Sequence, residues 1–423
     1  MLSITMKHTL TLFILSLCTA LGSAAEPLEL NVRAFGAKGD GSTDDTAAFH
    51  TAIGEGAKLK LPVRVPQGNY VITQPLALNA QRLTGEPNAS FGADVMVLPT
   101  LVVRSESGTA IRLGEGATVD GLQIHCSWPG GSPGENAAPA IELAGPCTRI
   151  HAMRIISPWV GIGWDGKSIT SRTTIENILM GSVHKKGVHI GNNFDVTVLR
   201  NIEVFSPDVP RFAQEGIGFH LQKCDDIRLS DCFVISAQTG YLFDEEKPGV
   251  TNHGTWGTLV NCSSDYITGV SLDIVGEHKL TFSAGSHLSH HLGLRVREKG
   301  AVVAVNGVWI QCSSAPTIQV EGGRSIAVTG CTLDRRHESF GAPALMIGGG
   351  EIVSITGNAI DSQGTGLHLR PGCERLVYSS NAVRFKGQPV TDESGGQGRL
   401  VLQGNAEEPI TAKPPEAAPP AKQ

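Results

Sequence analysis

The side chains best able to do chemistry cluster between residues 189 and 297. His189 lies in KGVHIG, His220 in IGFHLQ, Asp244 closes TGYLFD and Asp273 closes TGVSLD. Arg295 and Arg297 follow in LGLRVRE. An imidazole can take up or return a proton near neutral pH, and a guanidinium can neutralise an anion that forms as the proton leaves. Asp244 and Asp273, if they lie side by side, can act as a pair of carboxylates or hold a Ca²⁺ ion. Trp164 and Trp256 offer flat aromatic surfaces for a ligand, and Arg370 offers a further cation.

These residues recur in a common setting. Each belongs to a short segment that Gly or Pro introduces and that then alternates apolar and polar residues: GTAIRLG, APAIELA, KGVHIG, IGFHLQ, TGYLFD, TGVSLD, LGLRVRE and GTGLHLR. Period-two alternation places Ile, Val, Leu and Phe on one face of a strand and the polar residues on the other. Aligning the segments on their glycines gives a first outward column of Arg112, Glu142, His189, His220, Leu242, Ser271, Arg295 and His368. The next column holds Asp165, Gln222, Asp244, Asp273, Arg297 and Arg370. Asp208, Glu245, Glu246, His253, His291 and Trp159 flank the columns.

A second pattern alternates with the first. TVDGLQIHC, TIENILM, VLRNIEVF, VAVNGVWIQC, IAVTGCTLD and VSITGNAID each pass through a small residue, Asn or Cys between two short apolar runs. The period is about 23 to 30 residues, which is that of a solenoid. No helical periodicity persists long enough for a strand–helix–strand unit. The repeat therefore predicts coils of short parallel strands, stacked so that apolar side chains fill the interior. Asn177, Asn201, Asn306, Asn358, Asn381 and Asn405 fit turn ladders in such a stack.

Composition agrees. Glycine numbers 51 and aromatics make up 5%, which favours turns and small side chains over helical bundles. The net charge of −6 argues against nucleic acid as a partner. Residues 1–25 read as a signal peptide, with Lys7 and His8 before an apolar run and Ser23-Ala24-Ala25 as a cleavage site. They predict a secreted protein, periplasmic or extracellular, and no later stretch is long and apolar enough to span a membrane. Eight cysteines remain after that segment, none in Cys-x-x-Cys spacing. They read as small buried hydrophobes whose pairing is open. His287, His290 and His291 in SHLSHHLG read as surface histidines.

The start of the mature chain carries the most specific motif. FGAKGDGSTDDTAAFHTAI is followed by VRVPQGNYVI and then LTGE. Gly36, Gly39 and Gly41 supply a tight turn, Asp44 and Asp45 start a short apolar helix, and Gly54 and Gly56 are predicted to stop it. This stretch resembles the opening of the pectate lyase superfamily, which includes polysaccharide lyases, polygalacturonase-like hydrolases and tailspike depolymerases. The resemblance implies an all-β, right-handed, single-stranded parallel β-helix with a short N-terminal capping helix. The expected division is signal peptide 1–25, cap and first coils 26–99, β-helix 100–406, and a disordered Pro/Ala-rich tail 407–423.

The resemblance also implies a polysaccharide substrate on the outer face of the coils. β-Elimination on an acidic or decorated polysaccharide suits the residue types best, with His189 or His220 as acid or base and Arg295 and Arg297 facing the substrate carboxylate. Glycoside hydrolysis of the polygalacturonase-like type is the alternative, but the chain lacks the Asn-x-Asp and Gly-His-Gly motifs of those enzymes. A non-catalytic, polysaccharide-binding cell-surface β-helix is a third reading. Monomer and homotrimer both remain open.

Overall fold

The computed structural model describes residues 29–85, 98–105, 107–135, 137–245, 254–335, 341–396 and 398–410. The predicted signal peptide, Glu246, His253 and residues 411–423 of the predicted tail lie outside the described residues. The chain winds as a right-handed parallel β-helix. Every strand pairing is parallel, and successive strands of one face come from successive coils. One face is a 13-stranded sheet; a 27-stranded sheet carries the other two strands of each coil.

Seven strands of the 13-stranded sheet matter for the site. They are β1 (Pro139–Leu143), β2 (Val160–Trp164), β3 (Lys186–Asn193), β4 (Ile217–Cys224), β5 (Thr239–Asp244), β6 (Val270–Ile274) and β7 (Leu292–Val296). Ile141, Ile162, Val188, Phe219, Tyr241, Leu272 and Leu294 occupy one register row and are buried. Within that row Phe219 and Tyr241 stack face to face with centroids 4.8 Å apart. The Tyr241 hydroxyl donates to the carbonyls of Cys232 and Ser263, so its polar end is satisfied inside the core.

Beside this row runs a line of small residues, and it overturns the glycine-based alignment. A Cβ on Gly187 would come within 2.6 Å of the Gly218 carbonyl, and one on Gly240 within 2.6 Å of the Ser271 carbonyl. The line continues through Ser271, not Gly269, because Thr239 pairs with Val270 and Tyr241 with Leu272. Serine is small enough for the position. The shift moves every later residue of β6 by two, so Asp273 stands beside Leu242 and Arg295 instead of beside Asp244.

The N-terminal cap forms as expected, with one correction. Helix α1 runs Thr46–Leu59 and passes through Gly54 and Gly56, ending where Lys60 adopts a left-handed φ of 57°. Gly56 does not stop the helix. Its missing side chain lets the helix close on Leu61 and Val63. Phe49, Ala52 and Ile53 are buried under the first coil. The acidic cluster is consumed locally: Asp40 accepts from Ser42 and Thr43, Asp44 from Thr46, and Asp45 from the Lys38 and Gly39 amides.

At the other end the solenoid outruns its predicted boundary. Ala406–Pro409 forms a strand paired with Ala382–Phe385, because backbone pairing needs no apolar side chains. Asn358, Asn381 and Asn405 form an amide ladder, each side chain bonded to the next at 3.0–3.1 Å. Asn177 and Asn201 pair separately at 2.9 Å. His287 departs from its surface reading. Strand alternation turns it inward, where it is 1% exposed and bonds Ser264, while His290 and His291 stay outside.

Candidate functional site

The predicted site divides into two groups. His189 and His220 are register partners on β3 and β4, and their rings stack with centroids 4.5 Å apart and planes 8° apart. Gln222 pairs with Asp244 one position further along. Asp273 lies two strands beyond His220, about 10 Å away at the spacing of a sheet. Arg295 lies one strand further still. The arginines therefore stand apart from the histidines.

The first group contains a residue that alternation missed. Lys186 Nζ lies 2.8 Å from His220 Nδ1, and His220 Nε2 lies 2.8 Å from Asp244 Oδ1. A lysine only donates, so His220 accepts at Nδ1 and donates from Nε2 to the carboxylate. His189 Nε2 lies 2.7 Å from the Gln222 amide oxygen and must donate to it. That leaves His189 Nδ1 with its lone pair. Lys186 escaped notice because strict alternation would turn it inward. A Cβ at Gly187 would meet Val204 in the interior, so alternation lapses there and the Lys186 amine reaches His220 on the outward face. A charged residue directly before the small-residue position was the available signal.

The electrostatics follow from burial. Lys186 is pushed down to about 8 by desolvation, and the neighbouring Lys185 charge lowers it further, while Asp244 opposes both. His189 falls to about 3, chiefly through burial and then through the Lys186 charge. His220, 6% exposed, is also lowered by burial, partly offset by its bond to Asp244. Burial works to raise Asp244, but the His220 hydrogen bond and charge outweigh it and hold the carboxyl below its ordinary value. At neutral pH both imidazoles are uncharged, Asp244 is ionised and Lys186 is close to its titration point.

The second group is an ion cluster. Arg295 Nε and Nη2 reach the two Asp273 oxygens at 3.1 and 2.8 Å, and Arg297 Nε reaches one at 3.0 Å while its Nη2 bonds the other. Asp273 is 2% exposed. The Ca²⁺ reading does not fit this donor set. Asp273 has both oxygens committed to guanidinium groups, Asp244 is committed to His220, and the two are not neighbours in register. No group of three or more His, Cys, Asp or Glu among the described residues is placed to hold a metal.

The aromatic expectations change as well. Trp164 is 8% exposed; its indole lies over Gly191, where any side chain would collide with it, and donates to the Ser168 carbonyl at 2.7 Å. It walls the His189 ring edge-on at 6.2 Å instead of offering a stacking face. Trp159 is likewise buried, beneath Arg211. Trp256 is 45% exposed but belongs to the 27-stranded sheet, away from the histidines. Arg370 is exposed on the site's own sheet edge, beyond Arg297. Asp208 bonds Ser182, and Glu245 accepts from the Glu277 amide, so both tie loops together. His291 sits at an exposed corner and bonds Ser314.

This parallel β-helix architecture and the match of its N-terminal stretch point to the pectate-lyase-like superfamily. Residues 30–96 match the family described as rhamnogalacturonase A/epimerase, pectate lyase-like. Over 65 residues the chain is 42% identical to a probable glucan endo-1,3-beta-glucosidase of Arthroderma benhamiae, a match covering 13% of this chain and only 7% of that protein. The A-module of the Azotobacter vinelandii mannuronan C-5 epimerase AlgE6 superposes with a TM-score of 0.58 at 13% identity, covering 90% of this chain and all of that one. Gene product 12 of bacteriophage phi29 gives 0.58 at 15% identity over 94% of this chain and 58% of its own. At such identities the structural likeness is one of fold. No helix among the described residues is long and apolar enough to cross a membrane.

Proposed function

We propose that the protein is a secreted carbohydrate-active enzyme that breaks an acidic polysaccharide by β-elimination, with Lys186 as the proton-transfer group. The observation that carries this reading is the chain Lys186–His220–Asp244 on the outward face of β3–β5, with the lysine brought down to about 8. A general base works best when its pKa lies near the working pH, and a desolvated lysine meets that condition. Neutral Lys186 takes the proton α to a uronate carboxylate. The C–H electrons form the C=C bond, the glycosidic C–O bond breaks, and the new ammonium returns its proton to the leaving oxygen. His220 holds the amine in place, Asp244 holds His220, and His189 Nδ1 accepts from a substrate hydroxyl.

Hydrolysis fits less well. It needs two carboxylates free to act across the bond, whereas Asp244 is engaged by His220 and Asp273 by two arginines. The cluster of Arg295, Arg297 and Asp273 carries one net positive charge, and exposed Arg370 lies farther along. Glu245, Glu277, Glu298 and Glu321 line the depression beside Arg297, so the case for elimination rests on the lysine and not on these cations. The family described as rhamnogalacturonase A/epimerase, pectate lyase-like, and a relative named for action on mannuronan, support a carbohydrate substrate. Incubation with polygalacturonate, alginate and glycosaminoglycans tests the reading. An ultraviolet-absorbing unsaturated product is expected, and it disappears in Lys186→Met. New reducing ends without that absorbance would overturn elimination.

A further inference from the structure

Among the exposed large side chains one has a setting unlike the others. Tyr266 is 59% exposed and adopts a left-handed backbone conformation, with φ of 50°, which non-glycine residues seldom take. The Asp265 carboxylate accepts the Tyr266 amide at 2.8 Å and fixes that geometry. The next coil brings exposed His290 against it, with ring centroids 5.8 Å apart and planes inclined by 54°. The two rings open as a wedge onto a depression of about 290 Å³ whose other walls include Asp265, Gln311 and Ser313.

The wedge lies on the 27-stranded sheet, at the corner where the chain turns into the sheet that carries Lys186. Tyr266 sits at the corner leading into β6, and Thr268, two residues on, donates to the Ala213 carbonyl of the short helix α2, Pro210–Glu215. That helix leads directly into β4, whose first amide bonds the Lys185 carbonyl. The corner thus lies along the edge of the sheet where Lys186 emerges. β6 is three strands from β3, about 14 Å at the spacing of a sheet.

We propose that Tyr266 and His290, with Asp265 and Gln311, form a second carbohydrate site that takes one pyranose ring of the polymer engaged at Lys186. This rests on the polysaccharide reading above and adds a binding position to it. The C–H face of a pyranose is apolar and lies flat on an aromatic ring, while its rim of hydroxyls needs acceptors and donors close by. Tyr266 supplies the face, Asp265 accepts from hydroxyls, and the Gln311 amide both donates and accepts. A ring held here anchors the polymer while another unit reaches the lysine.

Affinity electrophoresis of the full chain in gels containing polygalacturonate, alginate or laminarin tests this. Tyr266→Asn removes the ring while tolerating the left-handed backbone, and Tyr266→Trp keeps an aromatic face. At least one polymer is expected to retard the wild type and Tyr266→Trp alike, and to hold Tyr266→Asn about fivefold more weakly. Equal retardation of Tyr266→Asn and wild type would overturn the site, as would the absence of retardation in all three gels. The two readings separate cleanly. Weaker binding of Tyr266→Asn in a protein that cleaves no uronate polymer removes the elimination reading and keeps the site. Cleavage with an unchanged KM in Tyr266→Asn does the reverse.

Discussion

Lys186, His220 and Asp244 act as one unit because each fixes the state of the next. The ammonium donates to His220 Nδ1, which forces the Nε2–H tautomer, and that hydrogen satisfies Asp244. Lys186→Met is expected to lower turnover by about 10² to 10⁴ without unfolding the chain, read from product release and circular dichroism. If the neutral amine is the base, the rate should climb with pH and level off above about 8, where Lys186 titrates. Asp244→Asn tests the coupling. The carboxylate stabilises the ammonium, so its loss should move that rising limb to lower pH. The histidines and Asp244 were legible in the sequence because they obey strand alternation. Lys186 was not, because alternation lapses at Gly187, whose side-chain position faces the interior.

For single strands, register decided more than residue type. Asp273 looked like the partner of Asp244 when glycines were aligned. The serine at 271 fills the small-residue row instead, and the carboxylate lands beside Arg295. Its role becomes structural, joining two coils through paired guanidinium groups. Asp273→Asn is expected to destabilise the protein by about 2 kcal/mol in urea unfolding, since two cations lose a charged acceptor. Turnover per folded molecule should change far less than in Lys186→Met. The capping helix was legible from its motif, although Asp45 turns its carboxylate back to the Lys38 and Gly39 amides instead of capping the helix. Its C-terminus was not, because Gly56 serves close packing. Phe49→Ala, which empties a fully buried site between cap and first coil, should cost about 3–5 kcal/mol.

The molecule as a whole is a single stack whose interior is continuous from Val32 to Phe385. The period of the repeat made that legible, since each coil must bury its apolar row against the next. The sequence does not show how the rows align across coils of unequal length, and that alignment sets which outward residues meet. The stack also buries groups that resist acid. His287 is held down to about 3 by burial. Its folded pKa lies below the unfolded value, so its neutral form stabilises the fold fully above about 6.5, and that contribution is lost as pH falls toward 3. Denaturant midpoints should therefore decline over that window, and His287→Gln should flatten the slope.

The claim that Lys186 is poised for proton transfer can be measured without knowing the substrate. NMR titration of the folded protein with isotope-labelled lysine, assigned by comparison with Lys186→Met, reads its pKa directly. The account expects one lysine to titrate near 8, and to titrate lower in Asp244→Asn. A Lys186 midpoint at the ordinary 10.5 would contradict it.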